Sequence, residues 1–279
     1  MERWQDQAII LSVRPHGESG AIVSVLTERN GRCAGYMRGA SSSKNRGTLE
    51  QGNIVDANWQ ARNADSLGSF SLEASRCTAA RIMHDPLKLA ALQSACSLCD
   101  QALPEKEGHI GVYNGLLVLL DILESDIWAA GYVMWEIALL KELGFSLDLS
   151  QCAGGGDKNT LAYVSPKTGR AVSYMAGEPY KDKLLPLPGF LKPNGGPDDA
   201  QDIITGLQMT RFFFEHWVFT HHSRGLPEGK IRLDLRFAEH FAKTKDNKFD
   251  ASLLGSDRGL EDDNIRNTNE LGKELYVSG

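Results

Sequence analysis

The chain has 279 residues, of which 42% are hydrophobic and 24% charged, with five cysteines and a formal net charge of −6. This is ordinary globular usage, which excludes a wholly disordered chain, and the length predicts two domains. The odd number of cysteines argues against a disulfide framework, and no apolar stretch is long enough for a transmembrane helix. Because Met1–Asp6 lacks the layout of a signal peptide, we expect a cytoplasmic protein with no membrane partner.

Residues 1–80 predict a small β-barrel. Short β-branched runs occupy 8–13 and 21–26, and polar and apolar residues alternate over 51–59 and 69–75. Asn30-Gly31 predicts a two-residue hairpin turn between the second and third strands. About five strands result, and closing them into a barrel is the usual way for so few strands to avoid exposed edges.

Residues 81–255 predict a mostly helical domain. Apolar residues recur at helical spacing over 89–103, 110–123 and 127–143, and Asp198-Asp199 opens a long helix that reaches about His222. A further short helix is expected over Leu233–Phe241. Residues 151–180 are rich in Gly, Ser, Lys and Pro and predict an irregular insertion with little helix. Apolar residues thin out after 255, so residues 256–279 predict a mobile tail, and the fold class is α+β multidomain.

A basic segment joins two strands of the predicted barrel. The residues from 30 to 48 include four Lys or Arg and no acid, and Arg38, Lys44 and Arg46 flank a polar, flexible loop. Tyr36 precedes this loop and Trp59 lies on the strand after it. Basic side chains can follow phosphates while aromatic rings stack on bases, so single-stranded nucleic acid is one expected ligand. A solvated loop beside two core aromatics is the alternative, and the sequence leaves both open.

A helix with two apolar faces is the second candidate for binding. At 100° per residue Phe214 and Trp217 share one face, and Phe212 and Phe219 lie roughly opposite. Such a helix is either sandwiched inside its domain or offers a groove to a partner. The cations that follow, Arg224, Lys230 and Arg232, would suit an acidic peptide whose apolar end enters that groove.

None of the motifs in the sequence supports a catalytic function. Cys96 and Cys99 have C-x-x-C spacing, but no second ligand pair accompanies them and both fall on the apolar face of a predicted helix. We interpret them as packing residues, and a thiol or metal enzyme that uses them is the alternative. The sequence therefore predicts a protein that is not an enzyme.

Several segments carry a family likeness. The segments Asp6–Arg14, Gly17–Thr27, Gly39-Ala40 and Tyr163–Gly169, together with the order of barrel, helices and Gly-rich insert, resemble the RecO family of bacterial recombination mediators. That resemblance implies an N-terminal five-stranded OB-fold barrel, a mostly helical second domain and no enzyme activity. It also implies a role in DNA repair and the RecFOR pathway, and hence association with the nucleoid. Family members bind single- and double-stranded DNA, anneal strands coated with single-stranded DNA-binding protein, and work with RecR to load RecA.

The resemblance assigns roles to particular residues. DNA binding carries over to Arg38, Lys44 and Arg46, and less strongly to Arg14 and Arg32. Many members also dock the acidic, Phe-ending C-terminal tail of the single-stranded DNA-binding protein on the helical domain. The side chains that suit this docking, without a residue-by-residue match to a family motif, are Phe212, Phe219, Arg224 and Arg232.

One feature of the family is missing. Some members hold zinc with four cysteines in the Gly-rich insert, whereas here the insert keeps only Cys152. Because one thiolate cannot complete a four-ligand site, we expect no cofactor and no structural zinc.

A protein adaptor is the competing functional class. Residues beyond 80 carry a net charge of −7, which disfavours nucleic acid as their partner. In this alternative the barrel and the helical groove bind proteins, and DNA contact is incidental.

Overall fold

A computed structural model describes residues 1–63, 66–196, 198–223 and 225–254, with side chains as far as residue 242. The predicted mobile tail, 256–279, lies outside these residues. The N-terminal part is a closed barrel of five strands in the order β1-β2-β3-β5-β4, which confirms the predicted five-stranded barrel. Its strands are β1 (Glu2–His16), β2 (Gly20–Thr27), β3 (Gly31–Met37), β4 (Ile54–Ala61) and β5 (Ser69–Arg76).

The connection between β2 and β3 differs from the predicted two-residue turn. Thr27 pairs with Gly31, so residues 28–30 form a three-residue loop. The Thr27 hydroxyl donates to the Gly31 carbonyl and accepts from the Asn30 amide, which closes the loop. Gly31 has a φ of +65°, a left-handed conformation that glycine adopts cheaply. The glycine signal therefore located the connection, but the loop begins at Glu28, two residues before the predicted turn.

A β-bulge in β1 gives this strand two different outer surfaces. The register with β2 shifts between Ile10 and Ser12. Before and within the bulge, Ile9 and Leu11 lie outside the barrel and pack with Leu26 against the helical part. After the bulge the outward residues are polar, and Arg14 and His16 are exposed. The helices therefore cover one half of this barrel face and leave the other half open to solvent.

The helical part begins immediately after the barrel. A short helix α1 (Ser43–Thr48) lies within the β3–β4 connection, and all other helices follow β5. The core is formed mainly by α3, α4, α5 and α7, which bury most of the predicted apolar stripes, although Ile110 and Ile127 at their starts are exposed. The helices are α2 (Thr78–Ile82), α3 (Pro86–Ala102), α4 (Ile110–Ile122), α5 (Trp128–Glu142), α6 (Tyr174–Gly177), α7 (Ala200–Phe213) and α8 (Glu228–Leu254).

Three expectations about the helical part are corrected. The long helix ends its regular turns at Phe213 and continues as one π-helical turn, Phe214–Val218, well before His222. The helix expected at 233–241 is longer and starts at Glu228. The insertion is not irregular throughout, because β6 (Leu161–Val164), β7 (Ala171–Ser173) and β8 (Leu185–Pro186) pair into a small sheet. These strands are too short to show a clear period in the sequence.

No helix among the described residues is long and apolar enough to span a membrane. Residues 1–239, which include the barrel and most of the helices, form one compact unit.

Candidate nucleic-acid interface

The predicted flexible loop is a capped turn of helix. Ser42 occupies the N-cap of α1, where its hydroxyl accepts a hydrogen bond from the Asn45 amide. The Asn45 side chain in turn donates to the Gly39 carbonyl at 2.9 Å. These local bonds give the segment a defined backbone, which composition alone did not reveal.

The three predicted cations of this segment are all exposed. Arg38 directly follows β3, and Lys44 and Arg46 lie on α1. The Arg46 Nε donates to the Ser41 carbonyl at 3.2 Å, a neutral acceptor that does not neutralise the guanidinium charge. Within the described parts of the chain, none of the three forms a salt bridge with a carboxylate. We call these three residues the basic loop.

The basic loop lies at the open half of the barrel face. The Ser41 amide donates to the Ser19 carbonyl at 3.2 Å, which ties the segment to the β1–β2 turn. Beside it, Arg14 pairs with Ile22 and Ile22 pairs with Tyr36, so the three residues form one outward row across β1, β2 and β3. Cations and an aromatic ring therefore share one surface.

Tyr36 is held in place by a glycine. A Cβ atom at Gly20 would lie 2.2 Å from the Tyr36 hydroxyl oxygen, so only glycine lets the ring lie flat on β2. The exposed His16 ring meets Tyr36 edge-on, with 6.1 Å between ring centroids. His16 was not predicted from the sequence. Its only signal was its place at the end of a strand, which does not say which ring it meets.

Trp59 does not join this surface. Its side chain is buried in the barrel, stacks on Trp4 at a centroid distance of 5.6 Å, and donates from Nε1 to the Ala34 carbonyl. Trp59 is therefore a core residue, as the alternative interpretation held, while Tyr36 is a surface residue.

The two weaker DNA-binding candidates, Arg14 and Arg32, differ in how exposed their side chains are. The Arg14 side chain is 62% exposed and reaches Asp100 only at 3.4 Å, so it remains accessible. The Arg32 side chain is 15% exposed, donates from Nε to the Leu103 carbonyl at 2.8 Å, and pairs with Glu105 at 3.2 Å. Arg32 thus joins the barrel to the segment after α3, and its charge is already paired with a carboxylate.

The predicted tail-docking residues do not form an open groove. Phe219 is 2% exposed, and Phe212 is half-buried and stacks on His216 at 4.0 Å. Arg232 pairs with Glu228 at 2.6 Å, and Arg224 lies outside the described residues. The π-helical turn after Phe213 rotates the following side chains, so Phe219 points into the core rather than opposite to it.

The cysteines are arranged as packing residues. Cys96 and Cys99 are fully buried on α3. Burial raises the pKa of the Cys96 thiol to about 12 and that of Cys99 well above its ordinary value. Neutral thiols in a closed core are poor nucleophiles and metal ligands, which argues against the thiol or metal enzyme.

Cys152 lacks the partners that a zinc site needs. Among the residues that the structure describes, no three His, Cys, Asp or Glu side chains lie close enough to hold a metal ion. The Cys152 sulfur instead accepts a hydrogen bond from the Ser173 amide at 3.2 Å. Burial raises the pKa of this thiol, but hydrogen bonds from Ser173, Gly156 and Gly154 outweigh it and lower the value to about 7. The donor set does not fit a four-ligand zinc ion.

Comparison with known proteins gives a consistent result for both parts of the chain. The family model described as "Recombination protein O N terminal" matches residues 1–76, and "Recombination protein O C terminal" matches residues 83–219. A protein of Rhodospirillum centenum named DNA repair protein RecO is 48% identical over 84% of this chain and 94% of its own length. Proteins of the same name from Rhodospirillum rubrum (43% identical, 83% and 95% covered) and Caulobacter vibrioides strain NA1000 (44%, 85% and 98%) are also similar.

Proposed function

The chain belongs to the RecO family of DNA repair proteins, and from this premise we propose that it is a non-catalytic, DNA-binding recombination mediator. The observation that carries the proposal is the basic loop, beside a barrel surface that displays Tyr36. Its three cations are exposed and form no salt bridge with a carboxylate in the part of the chain that the structure describes. Positive side chains bind phosphates by displacing condensed counterions, which needs no base sequence.

Binding by the backbone suits strand annealing. A protein that holds the phosphates leaves the base edges free to pair with a second strand. Because single strands and duplexes both carry phosphates, the same loop accounts for binding to both. We extend the proposal to three further activities of the family. These are annealing of strands coated with single-stranded DNA-binding protein, cooperation with RecR, and loading of RecA. Docking of the tail of single-stranded DNA-binding protein would need a surface other than the buried Phe219.

The test is DNA binding by a variant that lacks the basic loop. Fluorescence anisotropy of a labelled single strand of ~30 nucleotides is measured at several salt concentrations for wild type and for R38A/K44A/R46A. We expect the variant to bind at least ~10-fold more weakly at low salt. The slope of log affinity against log salt should become shallower by about 2, since each lost phosphate contact removes about 0.7.

A matched variant controls for overall charge. K158A/K167A/K183A removes three exposed lysines from the helical part and should leave affinity and salt slope unchanged. If both triple variants weaken binding alike, the loop is not a specific site. If wild type does not bind DNA at all, the adaptor function replaces the mediator function.

A further inference from the structure

A polar groove of about 580 Å³ lies on the barrel away from the basic loop. Three consecutive residues from each of β1, β4 and β5 line it. Two outward rows of paired residues cross the three strands. The first row joins Arg3, Gln60 and Ser69, and the second joins Gln5, Asn58 and Ser71. Directly paired residues share a face of the sheet, so amide and hydroxyl groups line the groove. The aromatic row between them, Trp4, Trp59 and Phe70, belongs to the barrel core.

The groove continues the surface that carries Tyr36. Tyr36 pairs with Ser69 in the parallel contact between β3 and β5, and the Tyr36 amide donates to the Gly68 carbonyl. One outward row therefore runs from Tyr36 through Ser69 and Gln60 to Arg3. With neighbouring strands about 4.8 Å apart, this row spans about 14 Å. The basic loop and the groove are thus two ends of one continuous path around the barrel.

The charge of the side chains changes from positive to negative across the groove. The row beyond Asn58 joins Asp56 on β4 to Glu73 on β5, and both carboxylates are exposed. Phosphates are repelled from this acidic edge and attracted toward Arg3 and the basic loop. A bound strand would consequently hold its phosphates near Arg3 and the basic loop and turn its bases over Asn58 and Gln60.

The side chains at this position suit base edges. Asn and Gln side chains offer a donor and an acceptor together, the pattern that pairs with the hydrogen-bonding edge of a base. In a duplex the Watson–Crick edges are already paired, whereas an unpaired strand presents them freely. We infer that this groove receives unpaired bases and makes the barrel prefer single-stranded over double-stranded DNA. The inference rests on the proposed DNA-binding function and adds to it a site for strand selection.

The experiment compares the two DNA forms in a groove variant. N58A/Q60A removes the two central amides, and N114A/Q208A removes one Asn and one Gln from exposed positions on α4 and α7. Anisotropy is measured with a single strand and with a duplex of the same length. We expect N58A/Q60A to lose about 10-fold in affinity for the single strand and to keep duplex affinity and salt slope. The control variant should match wild type on both ligands.

A second ligand tests the bases directly. A single strand whose central nucleotides are abasic keeps its phosphates, so it should bind wild type as weakly as the intact strand binds N58A/Q60A. N58A/Q60A should bind the abasic strand as tightly as it binds the intact strand. N58T/Q60T, which keeps strand-compatible residues without amides, serves if the alanine variant is unfolded.

The outcomes separate this inference from the proposed function. If N58A/Q60A leaves the ratio of single-strand to duplex affinity at the wild-type value, the groove does not hold bases, whatever R38A/K44A/R46A does. If the groove variant loses both ligands equally, selection by the groove is likewise rejected. Failure of the basic loop variant to weaken either ligand would instead overturn the proposed function.

Discussion

Lys230, at the start of α8, is a charged residue that is buried in the interior of the helical part. Its Nζ lies 2.9 Å from Glu136 on α5 and 2.9 Å from Asp234, and both Lys230 and Glu136 are fully buried. The Thr210 hydroxyl donates a further hydrogen bond to Glu136. Burial alone would lower the pKa of Lys230, but the two carboxylates outweigh it and raise the value. Lys230 is therefore a structural cation, and not part of the exposed basic set that its sequence neighbours suggested.

Removing this cation should destabilise the fold strongly. K230M leaves the Glu136 and Asp234 carboxylates buried without their main partner, which typically costs about 3–5 kcal/mol. Urea denaturation should show this loss, while K141M, at an exposed position in the last turn of α5, should stay within about 0.5 kcal/mol of wild type. Adding E136Q to K230M removes one unpaired charge and should recover part of the loss. Equal stability of K230M and K141M would contradict this account.

At the scale of elements, β3 is fastened to the segment that follows α3. Arg32 contacts Leu103 and Glu105, and the Lys106 amide donates to the Arg32 carbonyl at 2.8 Å. A Cβ at Gly31 would lie 1.8 Å from the Glu107 carbonyl oxygen, so the two backbones approach as closely as glycine permits. These contacts fix the barrel to the helices and leave its other end open.

This arrangement predicts opposite effects for two neighbouring arginines. R32A should reduce the free energy of unfolding by about 2 kcal/mol, because charge-assisted hydrogen bonds at a mostly buried side chain are lost. Its affinity for single-stranded DNA should be close to that of wild type. R38A should leave stability unchanged within about 0.5 kcal/mol and weaken DNA binding. Chemical denaturation and anisotropy on the same two proteins check this, and weaker DNA binding by R32A would return Arg32 to the phosphate-binding set.

At the scale of the whole molecule, the insertion is held by packing. The side chains of Leu161, Val164 and Ala171 from its small sheet are buried and join the core of the helices. A metal ion would add stability mainly where a fold cannot bury enough apolar surface. Because the small sheet buries its apolar side chains in the core of the helices, we expect the insertion to need no metal ion.

The absence of structural zinc is accordingly a measurable expectation. Elemental analysis of the purified full chain should find well below one zinc per protein. Incubation with a chelator should leave the melting temperature unchanged, because no folding free energy comes from metal binding. Stoichiometric zinc, or a melting temperature that falls with the chelator, would show that ligands other than Cys152 complete a site.

The sequence by itself determined the type and order of most elements. The alternation in β4, which turns Val55, Ala57 and Trp59 inward, and the apolar stripe of α3 are local periodicities that burial requires. The basic loop could also be identified from the sequence, because Arg38, Lys44 and Arg46 lie close together in a stretch without acidic residues. Gly144, with a φ of +90°, follows the C-cap of α5, a position where glycine commonly ends a helix.

Only the tertiary structure decided which of these residues meet. Arg32 and Arg38 are equally basic in sequence, yet the contact of β3 with residues 103–107 buries the first and leaves the second exposed. The row from Tyr36 to Arg3 depends on the closed barrel, because a closed register brings residues from distant strands to adjacent positions. The bulge in β1, the π-helical turn and the burial of Lys230 have no local signature in the sequence. For Lys230 the physical reason is that Glu136, one of its two carboxylate partners, lies 94 residues away in the chain.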